Sequence, residues 1–118
     1  MKVLVVDDSK VMRLIVMRTL RQAGFTCEVT EAADGKQALE AIRSAPPDLV
    51  LSDWNMPEMT GIELLEALRA EGSRVKVGFV TTEGTAEMRA RAMSAGALFL
   101  IAKPFTADQF KAELGAVL

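Results

Sequence analysis

Three aspartates stand at the ends of apolar runs. Asp7 and Asp8 follow Val3-Leu4-Val5-Val6, and Asp53 follows Leu49-Val50-Leu51-Ser52. Uninterrupted apolar runs read as parallel strands covered on both faces. In open α/β sheets ligands bind beyond the carboxyl ends of the strands, so the three acids are expected to converge on one spot. Crowded carboxylates repel one another, and hard oxygen donors in such a cluster suit Mg²⁺. Two further groups belong to the same end of the sheet: Thr81 closes the run from Lys76, and Lys103 follows Leu98–Ala102, just before Pro104. Each has a chemical use. A carboxylate can act as nucleophile and form an aspartyl phosphate. Mg²⁺ neutralises charge on a transferring phosphoryl group. A lysine supplies a compact positive charge, and a threonine hydroxyl donates a hydrogen bond.

Placing these groups requires a regular scaffold, and the chain supplies its signals. Strands are expected over Lys2–Val6, Glu28–Ala32, Leu49–Asp53, Lys76–Thr81 and Leu98–Ala102. Helices are expected over Lys10–Ala23, Gly35–Ser44, Gly61–Glu71, Ala86–Ala95 and Ala107–Val117. Met12, Ile15, Val16, Thr19, Leu20 and Ala23 recur at helical spacing, as do Ala107, Phe110, Leu114 and Val117. Thr60 with Glu63 and Thr106 with Gln109 fit capping boxes, and Asp34 with Gln37 is an Asx version. Gly24, Gly72 and Gly96 fall where helices should stop, and Ala45-Pro46-Pro47 ends the second helix. Strict alternation of strand and helix implies a doubly wound parallel sheet with helices on both faces.

The 118 residues fit one domain, residues 1–118, and half of them are apolar. A net charge of −2, with mixed signs, lacks the basic footprint of a nucleic-acid binder. No apolar stretch approaches the roughly 20 residues of a membrane span. Met1-Lys2-Val3 runs straight into a strand, so no signal peptide or membrane insertion is expected and the cytoplasm is the expected location. Cys27 is the sole cysteine and reads as a structural thiol. Histidine is absent, which excludes Ser-His-Asp and Cys-His catalysis, most zinc sites and phosphate carried on histidine within this chain.

The segments "VLVVDDS", "LVLSDWNMPEMTGIELL", "VTTEGT" and "KPFT", in that order, resemble the receiver domains of bacterial response regulators. The similarity spans nearly the whole chain and is greatest to single-domain, chemotaxis-type members. The resemblance implies a flavodoxin-like, five-stranded sheet of order 2-1-3-4-5 with no output domain. It implies that Asp53 is the phosphoacceptor and that Asp7, Asp8, Asp53 and the Asn55 carbonyl hold Mg²⁺. Thr81 is then the switch hydroxyl, Lys103 the phosphate-contacting lysine, and the Lys103–Pro104 bond cis. Glu83 and Asn55 resemble the pairing in regulators whose phosphate turns over quickly, although Thr82 stands where a smaller residue is usual. Leu100 occupies the position of an aromatic switch residue, and the chain has no tyrosine. Phe99 should point to the other face of the strand. The implied partners are a histidine kinase as phosphodonor and a protein bound by the fourth helix, fifth strand and fifth helix of a monomer.

Other readings compete. Asp7 and Asp8 could cap the first helix, but Ser9 serves that purpose alone. Trp54 reads as packing at the rim of the site. Met12, Met17, Met88 and Met93 read as core or interface filler, and Glu63, Glu66, Arg69 and Glu71 as a solvated helix face. An aspartate-nucleophile phosphatase would place its nucleophile after the first strand with a second acid two residues on. A flavin module needs a phosphate-cradling loop there, which Asp7 and Asp8 would repel. A receiver-shaped interaction protein that ignores phosphate is the third alternative.

Overall fold

A computed structural model describes all residues 1–118. Five strands alternate with five helices: β1 (Lys2–Val6), α1 (Lys10–Gln22), β2 (Glu28–Ala32), α2 (Gly35–Ser44), β3 (Leu49–Ser52), α3 (Gly61–Ala70), β4 (Lys76–Thr81), α4 (Ala86–Ser94), β5 (Leu100–Ala102) and α5 (Ala107–Val117). The sheet order is β2-β1-β3-β4-β5 and every pairing is parallel. The order therefore reverses next to β1, and the switch point, where such sheets bind ligands, falls between the ends of β1 and β3.

Alternation along the inner strands divides the apolar residues between two cores. Val3, Val5, Leu49 and Leu51 pack under Val16 and Leu20 of α1 and Phe110 and Leu114 of α5. Leu4, Val6, Val50 and Phe79 pack under Leu39 and Ile42 of α2, Ile62 and Leu65 of α3, and Ala92 of α4. Because both faces are covered, β1 and β3 lose the polar–apolar alternation of a half-exposed strand. β2 lies at the sheet edge and stays polar except at Ala32 and the partly buried Val29. Close packing demands a glycine at position 78, since a Cβ there would collide with the Phe99 ring.

The helix starts follow the expected chemistry. The side chains of Ser9, Asp34, Thr60, Thr85 and Thr106 each accept an N–H three residues on. Thr60 and Thr106 complete reciprocal capping boxes, whereas Gln37 accepts from the Ala33 N–H instead of from Asp34. Gly24, Gly72 and Gly96 have positive φ just past α1, α3 and α4. Those three helices stop one residue earlier than expected, at a capping alanine or glutamate.

β3 ends at Ser52, so Asp53 is the first residue beyond it. β5 starts at Leu100, although Leu98 N–H and Phe99 C=O already bond to β4. On α1, Ile15 is 39% exposed despite its apolar spacing. Met88 packs against the core, but Met93 is half-exposed. The α3 face is not simply solvated. Arg69 reaches the Ser73 and Gly96 carbonyls, Glu66 pairs with Arg91 and Glu71 with Arg43. Cys27 is half-buried and burial pushes its thiol pKa up, which suits a packing role.

Candidate functional site

Strand pairing delivers the acids together. Asp7 N–H donates to Ala32 C=O and Asp53 N–H donates to Val6 C=O, so both residues leave their strands at one level beside the switch point. One oxygen from each of Asp7, Asp8 and Asp53 lies within 4.8 Å of the other two. Asp7 is buried, Asp53 half-buried and Asp8 exposed, which makes the cluster a shallow cup open on the Asp8 side. The three acids come together, as their places at the strand ends predict.

Lys103 enters from the β5–α5 loop, across the cis bond to Pro104. Its Nζ donates to Asp7 Oδ2 at 3.1 Å and stands 3.8 Å from Asp53 Oδ1. The other Asp7 oxygen accepts the Ser9 N–H at 2.9 Å, and Asp53 Oδ1 accepts the Trp54 N–H at 2.8 Å. One ammonium among three carboxylates leaves excess negative charge. Burial pushes the Asp53 pKa above the ordinary carboxylate range. The Lys103 charge opposes that shift, the Asp7 charge adds to it, and the Trp54 amide and Thr81 hydroxyl oppose it. An entering cation would relieve this strain.

The donor set fits a hard divalent cation. Oxygens on an octahedral Mg²⁺ shell with a radius of about 2.1 Å lie roughly 3–4 Å apart. Three carboxylates gathered within 4.8 Å of one another need only draw in slightly to reach such a shell, with water completing it. The expected contribution of Asn55 is less defined: the residue lies in the exposed loop after Asp53.

Thr81 ends β4 with its side chain fully buried, and its Oγ accepts the Glu83 N–H at 3.4 Å. Thr82 and Glu83, which follow it, are exposed. Leu100 is buried in the core beneath α4, while Phe99 faces the opposite core, as alternation requires. Trp54 is more than rim packing: it is buried and stacks at a tilt on Phe79, centroids 5.1 Å apart.

Three contributors carried no chemical signal in the sequence. A Cβ on Gly61 would collide with the Asp53 carbonyl, so glycine there lets α3 begin directly against the site. Phe79 supports Trp54 from below. Arg13, on α1, donates to the Asp7 carbonyl at 2.6 Å and pairs with Glu31 of β2. The first two look like ordinary core positions from spacing alone, and Arg13 like any surface arginine on a helix.

A doubly wound sheet with a carboxylate cup and a lysine at its switch point defines a flavodoxin-like α/β protein with an acidic site at the strand ends. Residues 3–115 match the response regulator receiver domain, and the chain belongs to that family. It is a two-component response regulator receiver. It is 41% identical to a probable chemotaxis protein CheY of Rhizobium etli over 98% of this chain and 91% of that protein. It is 44% identical to the chemotaxis protein CheY of Pseudomonas aeruginosa over 97% of this chain and 93% of that protein. The structure of CheY4 from Vibrio cholerae superimposes with a TM-score of 0.86 at 39% identity, covering 99% of this chain and 98% of that one.

Proposed function

We propose that the chain is a chemotaxis-type phosphorylation switch whose phosphoacceptor is Asp53. The observation that carries this reading is the convergence of Asp7, Asp8, Asp53 and Lys103 on one open cup. A histidine kinase is the donor: an Asp53 oxygen forms the new bond to phosphorus as the bond from phosphorus to the imidazole nitrogen breaks. Asp7, Asp8 and Asp53, with the Asn55 carbonyl, would hold Mg²⁺, which would supply charge neutralisation at the phosphoryl oxygens. Lys103 lies close enough to Asp53 to contact the added group.

The phosphoryl group brings charge near −2 and new acceptor oxygens. The buried Thr81 hydroxyl donates to it, and the population of the α4–β5–α5 face shifts. Output then runs from a monomeric phosphoacceptor domain, residues 1–118, through protein contacts on that face. The reading places the protein in the cytoplasm, where its donor's kinase domain works; no helix is long and apolar enough to cross a membrane. It is a switch that assists its own phosphorylation and dephosphorylation, with Glu83 and Thr82 tuning phosphate lifetime.

The test is intact-mass analysis after incubation with a small phosphodonor and Mg²⁺. One phosphoryl group should be added, chelation should prevent it, and Asp53→Asn should remove it. An adduct that persists in Asp53→Asn would move the acceptor elsewhere. Absence of any adduct in the wild type would favour a receiver-shaped protein that works without phosphate.

A further inference from the structure

Asp7 is held at every polar atom, but Asp8 is not. The Asp7 N–H bonds to β2, and its carboxylate is shared between Ser9 N–H and Lys103. Asp8 lies beyond the last β1 residue, is exposed, and makes no backbone hydrogen bond. The direction of its side chain depends on the peptide plane that joins it to Asp7, because that unit is rigid. The carbonyl of that plane accepts one bond, from Arg13 Nη1 at 2.6 Å. Arg13 Nε in turn pairs with Glu31 Oε1 at 2.9 Å, and the arginine side chain is only 13% exposed. A planar guanidinium bonded at once to the Asp7 carbonyl and the Glu31 carboxylate has little freedom left.

We propose that Arg13 is a positioning residue for the divalent-cation site, orienting Asp8 by clamping the Asp7–Asp8 peptide between α1 and β2. The inference rests on the metal reading given above. Its sign separates it from a simple charge effect. A guanidinium beside the acids repels a dication, so removing it should tighten Mg²⁺ binding if charge were all that mattered. Loss of positioning predicts the opposite, since groups that orient metal ligands typically contribute about 10–100-fold in affinity.

Trp54 is the only tryptophan and adjoins Asp53, whose Oδ1 accepts the Trp54 backbone N–H, so its fluorescence is a reporter one residue from the cup. Mg²⁺ titrations should compare the wild type with Arg13→Met and Arg13→Lys, below the unfolding transition of each as followed by circular dichroism. Both variants should bind Mg²⁺ about tenfold more weakly. Arg13→Lys keeps the charge but lacks the fork that reaches both acceptors, so it decides the matter even if Arg13→Met fails to fold. A wild-type response with equal or tighter binding in Arg13→Lys overturns this inference alone. No response in the wild type overturns the metal reading, and the inference falls with it.

Discussion

The carboxylate end of β1 and β3 and the α4–β5 edge are built to different standards. At the first, the strands are buried on both faces and Asp7 is fixed by bonds from β2, α1 and the β5–α5 loop. At the second, β5 has three residues on the outer edge of the sheet, and α4 fully buries only Ala92. Under the proposed function, the groups aligned for phosphoryl chemistry sit where packing leaves little freedom, and the face that shifts lies where α4 buries least, at the low-stability end of the molecule. Thr81 joins the two regions: its hydroxyl is aimed at the Asp53 side, and its backbone is paired with Ala102 of β5.

Truncating the core at the light edge should give the largest stability effect. Leu100 is 3% exposed and packs with Ala92 and Phe79. Leu100→Ala should cost about 2–5 kcal/mol in urea unfolding, the range for buried leucines, with Mg²⁺ affinity unchanged. A cost below about 1 kcal/mol would mean that the edge collapses around the gap, which would sharpen the contrast. Altered Mg²⁺ affinity would break it, because the two ends would then move as one.

Removing the joint is next in size. Thr81→Ala should still accept phosphate on Asp53 but lose a charge-assisted hydrogen bond of about 1.5–3 kcal/mol. That shifts a two-state population roughly tenfold or more. Amide NMR before and after phosphodonor is the measurement. If phosphorylated Thr81→Ala moves the Leu100 and Ala102 resonances as far as wild type does, the coupling does not run through this hydroxyl.

The carboxylate end was largely legible in the sequence, and the edge was not, for a physical reason. Apolar runs ending in Asp7-Asp8 and in Asp53 declare both their burial and their place at strand ends. Thr60 with Glu63 and Thr106 with Gln109 declare helix starts by side-chain chemistry alone. Other features depend on what is packed opposite. Ile15 has the spacing of a core residue but lies at the margin of its face, at 39% exposure. The short start of β5 reflects irregular pairing at Leu98, which no residue type announces. Gly61, Gly78 and Arg13 act through backbone and rings that lie outside their own elements.

Arg89 offers a finer probe of the edge. It donates to the Leu100 carbonyl at 3.2 Å, a group facing away from β4, since the ladder runs through Phe99 and Lys103. With no aromatic at position 100, this bond is a tether between α4 and β5. Arg89→Ala should cost about 0.5–1.5 kcal/mol, seen as faster amide hydrogen exchange in α4, by about two- to tenfold. Exchange at Val5 and Leu51 should stay as in wild type. Uniform acceleration across the sheet would show global destabilisation and remove the tether.

The smallest effect tests how the loop between Asp53 and α3 is held. Glu63 accepts from both Thr60 N–H and Thr60 Oγ at 2.9 Å. The Thr60 amide, and then its hydroxyl, holds the Glu63 carboxyl below the usual glutamate range, with Arg91 adding to the effect. A depressed folded-state pKa gives stability that is present above the unfolded value and lost as pH falls through the folded value. Wild type should therefore exceed Glu63→Gln in urea midpoint at neutral pH, and the gap should close as pH drops below the ordinary glutamate range. Taking the difference between the two proteins removes the other carboxylates, which titrate in both. Because Glu63 is exposed, the gap should be modest and should shrink with added salt only in the part owed to Arg91. A gap that stays constant with pH would mean that the charge of Glu63 does not matter, and that Thr60 alone fixes the start of α3 against the site.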